Sequence, residues 1–274
     1  MKLIREGRFG PPKAFKTGAI VGTYPKPMLV LEYNEGGLDV IPTTAEPVQK
    51  DRIKVDCLQS DITYIEPGQL GVWCAKKPTD LPKVTCIDFS RLKNYEVTAS
   101  YGFQPYKDAF QLMIDTINNL RKVGCPWKTT VIDPADDLTE LIISHMTATN
   151  RAAMETKGTI NPQRWAPMAA GKLRQIISFM HGLPAHSVVI IHDTLKEVEQ
   201  TGEIKIQPMI VSQFRDKFGA DFSQFLYATK EADRPVVLTT DKGFVKGVGC
   251  RWPANLPAVC GADFQSIYGK ELLI

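Results

Sequence analysis

Residues 10 to 17 read Gly-Pro-Pro-Lys-Ala-Phe-Lys-Thr, the stretch whose residue types and spacing speak most directly of chemistry. It follows the G-x-x-x-x-G-K-[ST] pattern of a phosphate-binding loop, with Phe15 standing where the second glycine belongs. Such a loop points several backbone N–H groups into one concavity, and the helix that follows adds a positive partial charge at its N-terminus. The pattern assigns Gly10, Pro11, Pro12, Lys13, Ala14, Phe15, Lys16 and Thr17 to the phosphates of a nucleotide such as ATP. The Lys16 ammonium would reach the β- and γ-phosphates, and the Thr17 hydroxyl would ligate Mg²⁺. Glycine at the fifth loop position lets the backbone approach phosphate with no Cβ in the way, so the Phe15 ring must point elsewhere.

Further polar residues sit at the ends of three apolar runs. Met28-Leu-Val-Leu-Glu-Tyr-Asn-Glu-Gly-Gly-Leu-Asp39 offers Glu32 and Glu35, either of which could orient a water for attack on a γ-phosphate. Lys128-Thr-Thr-Val-Ile-Asp133 ends in a carboxylate suited to holding Mg²⁺ through its water shell. Ser187-Val-Val-Ile-Ile-His-Asp193 ends in a rival aspartate, but its His192 suits the remaining task, sensing the γ-phosphate, and leaves the metal to Asp133. His145, His181 and His186 stand in helical or loop context and take no role.

Positioning these groups requires strands that deliver them to one edge. The runs Met28–Leu31, Thr129–Ile132, Val188–Ile191 and Pro235–Thr239 are near-continuously apolar, as strands buried on both faces of a parallel sheet are. Helix-compatible stretches at Tyr106–Val123, Asp136–Thr149 and Pro167–Met180 separate them, and alternation of this kind predicts an α/β layered fold. A strand-like run, Lys2–Phe9, leads into the loop, and Lys16–Val21 follows it as a helix. Residues 42–100 break the alternation with Pro, Thr and β-branched residues and read as a small β-rich insertion within a single domain spanning 1–274. The tail, Gly243–Pro257, reads as hairpin and loop.

Composition excludes several classes. The chain has 274 residues, 43% hydrophobic and 23% charged, ordinary for a soluble globular protein able to bury a full core. A net charge of +3 does not demand a nucleic-acid partner, although the first thirty residues hold six Lys/Arg against Glu6 alone, as an anion-binding edge would. No apolar run reaches the roughly 20 residues of a membrane span, and no signal-peptide core is present. Six cysteines without a C-x-x-C pair point to reduced thiols and a cytoplasmic setting. A zinc site from Cys57, Cys74 and Cys86 matches no common spacing.

The order of these motifs carries a family resemblance. Gly10–Thr17, Leu31–Asp39, Thr129–Asp133 and Val188–His192 follow one another as in RecA-type ATPases. The chain resembles the short, phage-encoded RecA-like ATPases associated with single-strand annealing and recombination, some of which also carry Phe at the last loop glycine. The resemblance implies a RecA-like P-loop NTPase core, a mostly parallel sheet flanked by helices, and Mg²⁺-dependent ATP hydrolysis. Asn34-Glu35-Gly-Gly-Leu-Asp39 matches the spacing around the catalytic glutamate of that class, which favours Glu35 over Glu32. It also implies a homo-oligomer in which a cation from the neighbouring subunit reaches the γ-phosphate; Lys242, Lys246 and Arg251 are the candidates. Single-stranded DNA is the implied partner, with a single-strand-binding protein as a further one. Residues 150–172 bring Arg151, Lys157, Arg164 and Lys172 against Glu155, with Trp165 as a stacking platform. Nine residues precede Gly10, so the upstream element that helps hold RecA filaments is expected to be missing or replaced. Two other readings fit the same residues: a nucleotide-binding assembly or scaffold protein without hydrolysis, and a helicase-loader or packaging-type motor.

Overall fold

A computed structural model describes residues 2–34, 36–44, 53–90, 109–156, 159–198, 202–210, 217–253 and 256–269. The apolar runs do become strands: β1 (Arg5–Gly10), β2 (Met28–Glu32), β3 (Ile62–Tyr64), β4 (Val84–Asp88), β5 (Thr129–Asp133), β6 (Glu155–Thr156), β7 (Thr159–Ile160), β8 (His186–Val198), β9 (Glu203–Pro208), β10 (Gln224–Glu231), β11 (Arg234–Leu238), β12 (Gly249–Cys250) and β13 (Val259–Gly261). The helices are α1 (Lys16–Thr23), α2 (Leu70–Cys74), α3 (Ala109–Val123), α4 (Ala135–Met154), α5 (Pro162–His181) and α6 (Phe264–Tyr268).

Among the described residues, eleven strands form one mixed sheet in the order β13-β11-β10-β1-β8-β5-β2-β4-β3, with β12 paired to β10 and β9 to β8. From β10 to β3 every neighbouring pair along that path is parallel. Successive side chains on a strand face opposite sides, so an unbroken apolar run serves two cores at once. In β2, Leu29 and Leu31 join the core beneath α3, α4 and α5, while Met28 and Val30 join the core beneath α1 and α6. Met113, Ile117, Leu138, Ile142, Leu173 and Ile177 bring the three long helices onto the first of these faces.

One sequence expectation needs correction. Pro235–Thr239 was expected among the doubly buried parallel strands, yet β11 runs antiparallel to β10 near the sheet's margin. Its parallel place is filled by β10, which the apolar pattern missed because Gln224 and Thr229 flank its buried Phe225, Leu226, Tyr227 and Ala228. Within residues 42–100, β4 pairs with β2 and β3 with β4, so this segment widens the main sheet.

One polar cluster ties the start of the chain to its far end. Glu6 and Arg8, two apart on β1, are fully buried on the α1 face. Arg8 donates to Glu6 at 2.6 Å, to the Tyr24 hydroxyl at 2.7 Å and to the Ala262 carbonyl at 2.8 Å, while Tyr24 and Tyr268 both donate to Glu6. Every partner is satisfied, the condition under which buried charge is tolerated.

Candidate functional site

Parallel strands end together, so β1, β8, β5 and β2 present their C-terminal tips along one edge. The register places Gly10 opposite His192 and Glu32 opposite Asp133. At the first tip the chain turns, the Ala14 amide donating to the Pro11 carbonyl at 3.3 Å, and enters α1 at Lys16.

Phe15 caps α1 with φ 61° and ψ 29°, the left-handed region. An L-residue with a Cβ occupies that region at a cost of roughly 1–2 kcal/mol. Its ring folds over the start of the helix onto Gly18, where an added Cβ would lie 2.4 Å from the ring's Cε2. It also packs against the core on the α1 face. A glycine in the helix thus seats the Phe15 ring.

Lys16 is buried and its ammonium donates to the carbonyls of Gly10 and Pro11, both at 2.8 Å. Burial pulls its pKa down to about 8 against the opposing charges of Asp133, Asp193 and Asp136. The Thr17 hydroxyl donates to Asp133 Oδ2 at 2.7 Å across 116 residues of sequence. Desolvation raises the Asp133 carboxyl to about 6, opposed by the Thr17 hydrogen bond and by Lys16 and His192. Asp193 is engaged elsewhere, accepting from the Tyr227 hydroxyl at 3.0 Å.

Glu32 is buried at the β2 tip, its Oε1 accepting from the Leu38 amide at 3.1 Å and its Oε2 from the Cys86 thiol at 3.4 Å. Burial raises it to about 7, opposed by those two hydrogen bonds. A Cβ on Gly37 would stand 2.8 Å from Glu32 Oε1 and 3.8 Å from Asp133 Oδ2, so both carboxylates face the space that this glycine leaves open. Glu35 lies outside the described residues; its neighbour Gly36 takes φ 77° and starts the turn Gly37–Val40. His192 is clamped by Asp136, whose Oδ1 accepts from the His192 backbone N–H at 3.0 Å while its Oδ2 lies 2.8 Å from Nδ1.

Thr17 and Asp133 fit a Mg²⁺ site, since that ion is held by one or two carboxylates, a hydroxyl and substrate phosphates while keeping several waters. No group of three or more His, Cys, Asp or Glu side chains able to hold a metal occurs among the described residues, which leaves Cys57, Cys74 and Cys86 apart. All six cysteines are free thiols.

The proposed trans-acting cations are spread out. Lys242 is exposed and pairs with Glu231 at 3.2 Å, and Lys246 follows the buried Val245 that bridges to Ile206. Arg251 donates from its backbone to Ser223, whose own N–H donates to Arg5, so it sits at the opposite end of β1 from the loop. The five steps from Arg5 to Gly10 span about 17 Å at strand rise. Of the DNA candidates, Lys157 and the Arg151 side chain lie outside the described residues. Arg164 is exposed in the first turn of α5, and Trp165 beside it is half-buried against the larger core. Lys172 holds its ammonium 5.1 Å from the Phe110 ring centre. Sequence reading missed Asp136, Gly18 and Gly37; an acid in the first helical turn after Asp133 was the available signal for the first, and nothing local marked the glycines.

No family model matches the chain, and no curated protein matches it. Among solved structures, the crystal structure of the RadB recombinase is similar at a TM-score of 0.37 and 13% identity, over 86% of this chain and 79% of that one. A likeness of that size carries no argument about this protein. No helix among the described residues is long and apolar enough to cross a membrane.

Proposed function

We propose that the chain is a RecA-like P-loop ATPase, Mg²⁺-dependent, acting on single-stranded DNA in phage-type recombination or annealing as a homo-oligomer. The observation that supports it most is the 2.7 Å hydrogen bond between Thr17 and Asp133, because the hydroxyl at the start of α1 and the carboxylate at the β5 tip are 116 residues apart in sequence. The loop amides and Lys16 hold the phosphates, Lys16 exchanging the Gly10 and Pro11 carbonyls for phosphate oxygens. Thr17 and Asp133 hold Mg²⁺, which neutralises charge developing on the transferred phosphoryl group. Glu35 orients the attacking water, and Glu32 is the buried acid at the β2 tip. His192 contacts the γ-phosphate. Lys242 and Lys246 lie toward the phosphate end of the sheet and serve a neighbouring subunit; Arg251 can act only in trans. Arg151, Lys157, Arg164 and Trp165 form the strand-binding region.

Phosphate release with Mg²⁺-ATP, with and without single-stranded DNA, tests this reading in wild type, Lys16→Ala and Glu35→Gln. Stimulated turnover, lost in both variants, supports it. Unchanged ATP binding and turnover in Lys16→Ala would sink it. The left-handed backbone at Phe15 favours one rival, a nucleotide-gated assembly protein without hydrolysis. That rival predicts ATP-dependent oligomers with no phosphate release even when DNA is present.

A further inference from the structure

The clamp on His192 bears on how this site would tell a triphosphate from a diphosphate, an inference that rests on the phosphate-loop reading above. Asp136 stands in the first turn of α4, a helix of twenty residues whose N-terminal dipole favours an ionised carboxylate. An ionised carboxylate only accepts hydrogen bonds. Oδ1 is taken by the His192 backbone N–H at 3.0 Å, so Oδ2, at 2.8 Å, must receive a proton from Nδ1. The neutral ring is thereby held with hydrogen on Nδ1 and a lone pair on Nε2. For Nε2 no hydrogen-bond partner occurs among the described residues. A phosphate oxygen is an acceptor and gains nothing from a lone pair. We propose that Asp136 is a positioning residue that lets His192 engage a γ-phosphate oxygen through Nε2–H only when the ring carries its second proton, making triphosphate recognition proton-gated.

The surroundings are compatible with that second proton. Asp136 from α4 contacts the ring, the charges of Lys16 from α1 and Asp133 at the β5 tip act on it through space, and Asp193, next along its own strand, is held by Tyr227. The hydrogen bond to Asp136 raises the ring's pKa above its ordinary value; burial and Lys16 oppose this, and the charges of Asp136 and Asp133 add to it.

The amide in Asp136→Asn makes the distinguishing variant. Its oxygen keeps the backbone hydrogen bond, while its NH₂ donates to Nδ1 and moves the neutral ring's proton to Nε2, where it can donate at any pH. Nitrogen-15 NMR of the histidine rings in nucleotide-free protein reads the tautomer without reference to activity. The expected result is an Nδ1–H neutral ring in wild type and an Nε2–H ring in Asp136→Asn. In parallel, affinities for a slowly hydrolysed ATP analogue and for ADP, each with Mg²⁺, are measured from pH 5.5 to 9, with His192→Gln as the baseline for titration of the nucleotides themselves. Relative to that baseline, the wild-type preference for triphosphate falls about tenfold per pH unit above the ring's titration, until it meets the baseline. The Asp136→Asn preference stays flat. A neutral wild-type ring protonated on Nε2, or a wild-type preference as flat as the baseline, overturns the role given to Asp136. Absence of nucleotide binding at every pH removes the phosphate-loop reading and the gate with it. Should Asp136→Asn fail to fold, the wild-type tautomer and the comparison with His192→Gln still decide.

Discussion

Replacing Gly18 by alanine is expected to change sign depending on the residue at position 15. In the wild-type chain the new Cβ would lie 2.4 and 2.5 Å from two carbons of the Phe15 ring, closer than real carbon atoms approach. The ring must leave its seat, and overpacking of this kind costs about 1–3 kcal/mol. With Phe15→Gly the obstacle is gone, and alanine in place of glycine within a helix gains about 1 kcal/mol. The Phe15→Gly change alone should be nearly neutral: it releases about 1–2 kcal/mol of left-handed strain and gives up a half-buried ring worth about as much. The helix gain is common to both backgrounds and cancels in a double-mutant cycle, which therefore predicts a coupling of about 1–3 kcal/mol between positions 15 and 18, the overpacking cost alone. Urea denaturation of the four proteins at one pH measures it, with equal m-values as the check that each unfolds over the same surface. If Gly18→Ala has the same sign and size in both backgrounds, the ring does not rest on Gly18 and the account of how the loop tolerates phenylalanine is wrong.

Two further outcomes follow from the buried acids. Glu32 holds its proton more tightly folded than unfolded, so its contribution to stability is fully present below its ordinary value of 4.5 and is lost as pH rises to about 7. Glu32→Gln keeps an acceptor for Leu38 and removes the titration; between pH 5 and pH 8 it should gain about 1–3 kcal/mol over wild type, and parallel urea curves for the two proteins would contradict this. Arg8→Met leaves Glu6 buried without its cation and should cost about 3–5 kcal/mol, most of it recovered in the Glu6→Leu/Arg8→Met double variant; a thermal melt unchanged by the single substitution would refute the coupling.

The ends of the central strands were legible because a polar residue closes each apolar run. An unbroken apolar run of four, such as Met28–Leu31, is buried on both faces, and the polar residue that closes it, Glu32, marks the tip. On that basis the loop, β1, β2, β5, β8 and the three long helices could be placed from residue order alone. β10 could not: its apolar stretch Phe225–Ala228 is short and flanked by Gln224 and Thr229, and its position beside β1 makes Phe225 and Tyr227 core residues.

What the sequence by itself determined is therefore which groups stand at strand tips, since periodicity and turn residues act over a few positions. Which tips become neighbours was decided by tertiary structure. Strand order sets β8 between β1 and β5, bringing His192 beside Gly10, while the entry of α1 and α4 sets Thr17 against Asp133 and Asp136 against His192. Contacts across 116 and 56 residues leave no periodic trace. The same holds for Gly18 and Gly37, whose missing side chains matter only because a ring and two carboxylates were folded against them.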